Sequence, residues 1–91
     1  MNNIRRKRVK ALIKELNILE EKIEETLEEL ETVKLEEEDS RDNIPENLLE
    51  SQRYEIAENA CDNFDSTYTE VDELKSQIEE IVTYLENCVG G

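Results

Sequence analysis

Apolar residues recur three and four positions apart along two stretches of this chain. With Val9 at heptad position a, Val9, Leu16, Ile23 and Leu30 fall on a, and Leu12, Leu19, Thr26 and Val33 fall on d. In the second stretch Ala57, Phe64, Val71, Ile78 and Leu85 fall on a, and Ala60, Thr67, Leu74, Ile81 and Cys88 fall on d. Spacing of this kind, sustained over several heptads, predicts two long helices that pack knobs into holes. Neither stretch contains an interior glycine or proline, and both are rich in good helix formers.

The only proline, Pro45, lies between them in "DNIPENLLESQR". The pattern predicts helix 1 over about 4–38, a turn over 39–50 and helix 2 over about 51–88. Asn43 can cap, Pro45 suits a first helical turn and Glu46 suits its positive dipole end, so a short helix is expected over 45–50. A connection this short predicts an antiparallel hairpin. Pairing Val9 with Ile81, Leu16 with Leu74, Leu30 with Ala60 and Val33 with Ala57 aligns the two a/d stripes, with the register centred on residue 45. The tip is then Ile44, Pro45, Leu48 and Leu49, with the leucines folded over the open end. Gly90 is placed as a C-cap for helix 2.

One narrow stripe per helix makes a thin core. The flanking e positions add Ile13 and Leu27 in helix 1, and Tyr54, Cys61, Tyr68 and Val82 in helix 2. In an antiparallel pair both e rows lie on one side, which predicts an apolar side there with Glu20 and Lys75 in its middle. That side can be a wide core edge, the docking face of a second hairpin, or the seat of a different partner. The expected fold is all-α: an antiparallel two-helix coiled-coil hairpin that dimerises into a four-helix bundle.

Charge changes this picture. The 91 residues carry 25 acids against 11 bases and no histidine, a net charge of −14. Residues 1–14 hold six bases (Arg5, Arg6, Lys7, Arg8, Lys10, Lys14) and no acid, so the remainder is strongly acidic. A field of that sign repels nucleic acid and attracts basic protein surfaces. Glu20, Glu24, Glu28 and Glu31 form one row on helix 1, and Glu21, Glu25 and Glu29 another. Neighbours in such rows stand about 6 Å apart, near the spacing of successive phosphates along a strand, on the order of 6–7 Å. From these rows Glu21, Glu24, Glu25, Glu28 and Glu29, with Glu58, Asp62 and Asp65 on helix 2, are the candidate acidic partner-binding residues of a nucleic-acid mimic. The plainer reading is a solvated outer face. The basic segment is expected to lie beside Glu79, Glu80 and Glu86 at the end of helix 2, and no stable nucleic-acid binding is expected.

No constellation points to catalysis: there is no Gly-rich loop and no Ser or Cys nucleophile with a base. Glu36 to Asp39 with Asp42 lacks the spacing of a calcium loop, so neither a metal nor another cofactor is expected, and the protein reads as non-enzymatic. Cys61 and Cys88 stand 27 residues apart on helix 2, about 40 Å along its axis, too far to bridge. The chain contains no apolar run of membrane-spanning length, and a bacterial cytoplasmic location is expected.

Asp42, Asn43, Ile44, Pro45, Glu46, Asn47, Leu48, Ser51 and Arg53, with Arg5, Arg6 and Lys7 at the start, carry a resemblance. The chain looks like a group of small acidic helical proteins of Firmicutes phages and mobile elements, which share a D-N-[LIM]-P-E-[SN]-L-x-x-S-x-R turn. It departs from the pattern at Tyr54, where a glycine is expected, and at the bulkier Phe64 and Tyr68. The resemblance implies a mobile-element origin and, by association, a protein that binds a host factor as inhibitors of restriction or CRISPR machinery do. The expected function is inhibition of a host nucleic-acid-handling or defence protein through the acidic surface. The alternative is a coiled-coil adaptor that uses its apolar side.

Overall fold

The computed structural model describes residues 1–48 and 51–90. They form two long helices, α1 (Asn3–Asp42) and α2 (Gln52–Gly90), with a single 3₁₀ turn over Glu46–Leu48 between them. The helices pack along each other as an antiparallel hairpin, a rod of 70 × 15 × 14 Å. Leu49 lies outside the described residues.

Local chemistry sets where each helix begins. Asn2 is extended and its side-chain oxygen accepts the Arg5 N–H at 2.8 Å, a cap that the heptad pattern does not reveal. Ser51 starts α2 in the same manner: its hydroxyl accepts the Tyr54 N–H at 3.4 Å and donates to the Leu48 carbonyl. Asn43 has the opposite role to the one expected. It closes α1, donating its N–H to the Asp39 carbonyl at 3.1 Å, while the Ile44 N–H bonds the Arg41 carbonyl. Helix 1 therefore runs four residues past the expected end at 38, and the described part of the short helix is the 3₁₀ turn Glu46–Leu48.

The a row of each helix faces the other helix, but its companion is the e row, not the d row. Every a and e residue from Val9 to Ile44 and from Tyr54 to Val89 is buried or half-buried. Ile23, Leu27, Ile78 and Val82 form the central cluster, with Ile13, Leu16, Tyr68 and Val71 packed against it. Leu12, Leu19 and Thr26 on α1, and Thr67, Leu74, Ile81 and Cys88 on α2, are exposed d positions. The expectation that Ile13, Leu27, Tyr54, Cys61, Tyr68 and Val82 form an open partner face is thereby corrected: these residues are the core of the hairpin itself.

Charge explains the choice of stripe. The e row contains Lys34, Arg41 and Lys75, whose aliphatic stems can lie over the core while their heads reach outward. The Lys34 and Lys75 heads meet the acidic b row of the opposite helix, whereas Arg41 pairs with Asp42 of its own helix at 3.1 Å. Lys75 Nζ is 2.9 Å from Glu24 Oε1, and Lys34 Nζ is 2.8 Å from Asp65 Oδ1. Each partly exposed pair is individually weak, but both favour the e side. The d row also runs out earlier on α1, reaching Ser40 where the a/e stripe continues to a buried Ile44.

The same two pairs fix the register. Residue 24 stands beside 75 and residue 34 beside 65, which centres the hairpin between 49 and 50 rather than on Pro45. The register expected from matching a/d stripes is thus displaced toward α2. It fails because α1 keeps packing beyond Val33 through Lys34, Glu37 and Arg41, all half-buried. At the tip Ile44 is buried whereas Leu48 is exposed, so the isoleucine plugs the end and Leu48 does not fold over it.

Candidate interaction surfaces

With a and e inward, b and f lie on one side of the rod and d and g on the other. Both helices contribute like rows to each side, because the hairpin is antiparallel. The b and f rows carry thirteen acids: Glu24, Glu31, Glu38, Glu58, Asp65, Asp72, Glu79 and Glu86 on b, with Glu21, Glu28, Asp42, Glu55 and Asp62 on f. On those rows only Lys7, Lys10 and Lys14, at the far end, are basic, and the e-row cations Lys34, Arg41 and Lys75 reach over to pair with Asp65, Asp42 and Glu24. The d and g rows hold four acids (Glu15, Glu29, Glu36, Glu70) against four bases (Arg5, Arg8, Lys22, Arg53). The excess negative charge is therefore segregated on one side.

Midway along the acidic side an open groove of about 400 Å³ runs between the helices. Leu27 and Tyr68 line its base, and Glu24, Glu28, Glu31, Asp72 and Lys75 surround it. Lys75 is held cationic by its hydrogen bond to Glu24. One helical turn away, burial and the neighbouring Glu79 push the Glu20 carboxyl above the usual range for a glutamate. An acidic rim over an aromatic and aliphatic base suits a lysine or arginine side chain, which gains from both carboxylates and a tyrosine ring.

Of the eight acidic residues singled out from sequence, Glu21, Glu24, Glu28, Glu58, Asp62 and Asp65 share this side. Glu25 and Glu29 fall on the c and g rows and point elsewhere. The Glu21, Glu25, Glu29 row is real along the helix surface but winds off the acidic side, because four-residue steps overshoot one turn. Sequence reasoning missed Glu31 and Asp72 as groove residues. Only the a/e core, which depends on the second helix, identifies them.

The opposite side is apolar along its d row. Leu12, Leu19, Leu74 and Ile81 are each about half exposed, at 55%, 45%, 47% and 45%. A second, shallow groove there is lined by Glu70, Val71, Glu73, Leu74 and Gln77.

The register also moves the basic segment. α2 ends at Gly90, level with residue 9 of α1, so Arg5, Arg6, Lys7 and Arg8 extend past the end of α2. Of the six bases, only Lys10 and Lys14 come level with Glu86. Cys61 is buried in the hairpin and Cys88 is exposed on α2, both as free thiols. Among the described residues no group of three cysteine, aspartate or glutamate side chains converges as a metal site. No helix among them is long and apolar enough to cross a membrane.

The fold and its surfaces define an antiparallel helical hairpin with one acidic and one apolar side. No protein-family model matches the chain, and neither a curated protein nor a solved structure does.

Proposed function

We propose that this chain is a non-enzymatic binding protein that lays its acidic side along a basic protein surface, one that otherwise holds nucleic acid. The partner class is a host nucleic-acid-handling or defence enzyme, and the outcome is its inhibition by occlusion. The observation that carries this reading is the segregation of charge, with thirteen acids on the b and f rows and a balanced d and g side. Solubility alone is served by charge on any outward row and does not call for one side to be selected. The helical rod holds the backbone positions of its carboxylates in fixed rows, which presents a strong negative field to the approaching surface. The groove over Leu27 and Tyr68 is the natural anchor for one protruding lysine or arginine of the partner.

The test is inhibition of DNA cleavage by a panel of purified restriction nucleases and RNA-guided nucleases, with the protein added at increasing salt. Inhibition should weaken steeply as salt rises. The triple variant Glu24→Lys, Glu28→Lys, Glu31→Lys should lose about tenfold or more in potency while keeping its helix content. A control triple of equal charge change on the outermost row, Glu25→Lys, Glu73→Lys, Glu80→Lys, should lose much less. Equal losses in the two triples would reduce the effect to net charge and remove the acidic side as a site. Absence of inhibition across the panel would remove the nuclease assignment.

A further inference from the structure

We infer that the apolar d side is the docking face for a second copy of this chain, laid face to face with its rod reversed. The proposal uses the side opposite the acidic one and does not rest on the function proposed above.

Three observations converge on it. The first is exposure: Leu12, Leu19, Leu74 and Ile81 leave a continuous apolar strip uncovered by the hairpin. The second is net charge. Two chains of −14 repel each other wherever their acidic sides meet, and the d and g rows are the one balanced side. The third selects the occupant. Along the g row of α1, bordering the strip, Arg8, Glu15, Lys22 and Glu29 alternate in sign at every seventh residue. Such a row is complementary to its own reverse. When α1 of one copy lies antiparallel on α1 of another, about a twofold axis between residues 18 and 19, Arg8 meets Glu29 and Glu15 meets Lys22. Four opposite-charge pairs form in all. The same axis brings Leu19 to within one residue of the second copy's Leu19, and Leu12 to within one residue of its Thr26, an offset of about 1.5 Å. On α2 it brings Ile81 to within one residue of the second copy's Ile81, because Ile81 lies level with residue 18 in the register fixed by the ion pairs. No other setting of the reversed rows matches both the leucine strip and all four signs.

Within one chain these residues cannot satisfy one another, since seven residues separate neighbours by about 10 Å along the axis. Among the described residues, Arg8, Glu15, Lys22 and Glu29 take part in no salt bridge. The overlap from Arg8 to Glu29 is about 32 Å long on a rod 15 Å wide. That is on the order of 500 Å² of projected area per copy, toward the small end of specific interfaces. The dimer should accordingly be weak, with a dissociation constant on the order of 10 μM.

The experiment is sedimentation velocity on the full chain across a concentration series, with helix content followed in parallel. The native protein should pass from a 10.7 kDa monomer to a dimer as concentration rises. Leu19→Asp should remain monomeric with its helix content intact. Lys22→Glu should weaken association by about tenfold or more, because each dimer then carries two pairs of like charge. The decisive variant is the exchange Glu15→Lys with Lys22→Glu in one chain, which restores both pairs only if Glu15 faces Lys22 of a second copy. Its dimer constant should return to the native value. An exchange variant no better than Lys22→Glu would overturn the register. A native chain that stays monomeric throughout the series would overturn the dimer, and would leave the strip to a helix from another protein.

Discussion

Replacing Leu27 by alanine, with Leu19→Ala as its counterpart, tests which stripe holds the hairpin together. Leu27 is 6% exposed and sits in the central cluster with Ile23, Ile78 and Val82, whereas Leu19 is 45% exposed. Truncating a buried leucine costs about 2–5 kcal/mol, the transfer free energy plus the cavity left behind. A hairpin only two helices thick can relax around the gap, so about 2–3 kcal/mol is the appropriate part of that range. Total stability for a chain of this length is about 5–14 kcal/mol, so the loss is a large share of it. At about 4–8 °C per kcal/mol, the melting temperature of Leu27→Ala should fall by roughly 10–20 °C. Leu19 has only about half of its side chain to lose from contact, which places Leu19→Ala near 1 kcal/mol or below. The assay is urea unfolding followed by helical circular dichroism at low micromolar protein, where association through the d side contributes least. Had the core been built on a and d, the ranking would reverse. A Leu19→Ala cost equal to or above that of Leu27→Ala would refute the a/e core and the division of sides that follows from it.

Other expectations follow from the same geometry. Cys88 should react with a thiol reagent at the rate of an exposed thiol, while Cys61, buried and with its pKa pushed up by that burial, should react orders of magnitude more slowly and only through opening of the hairpin; equal rates by mass spectrometry would contradict the burial. Glu20 titrates above its unfolded value, so its stabilising contribution is full below that unfolded value and is lost as pH rises through the folded one; Glu20→Gln should therefore stabilise the protein at neutral pH and flatten its pH dependence in mild acid, and a destabilised variant at neutral pH would show the assignment to be wrong. Ser51→Ala removes the cap of α2 next to the tip and should cost about 1 kcal/mol in global unfolding. Asn2→Ala removes an equivalent cap on the overhanging end of α1 and should speed amide exchange in the first turn while leaving the urea midpoint unchanged.

The sequence by itself determined that there are two long helices, roughly where each runs, and that they fold back on one another through the segment that holds the proline. Heptad spacing, helix-forming composition and a short connection are local properties, and they suffice for that. It also fixed the a row as inward-facing, since that row is apolar on almost any reading. What it left open was the companion of that row. On a single helix d and e flank a on opposite sides, and here both are apolar enough to serve. The decision came from the second helix. Lys34 and Lys75 on the e row find Asp65 and Glu24 only when the helices stand in one register, and Ile44 reaches the core only if α1 runs on through Asp42. That choice determined the surfaces as well. It buried Leu27, Cys61 and Val82, half-buried Tyr68, uncovered Leu12, Leu19, Leu74 and Ile81, and divided the glutamates between two sides. Net charge can be read from a list of residues, but the side on which it acts depends on which neighbouring row is taken inside.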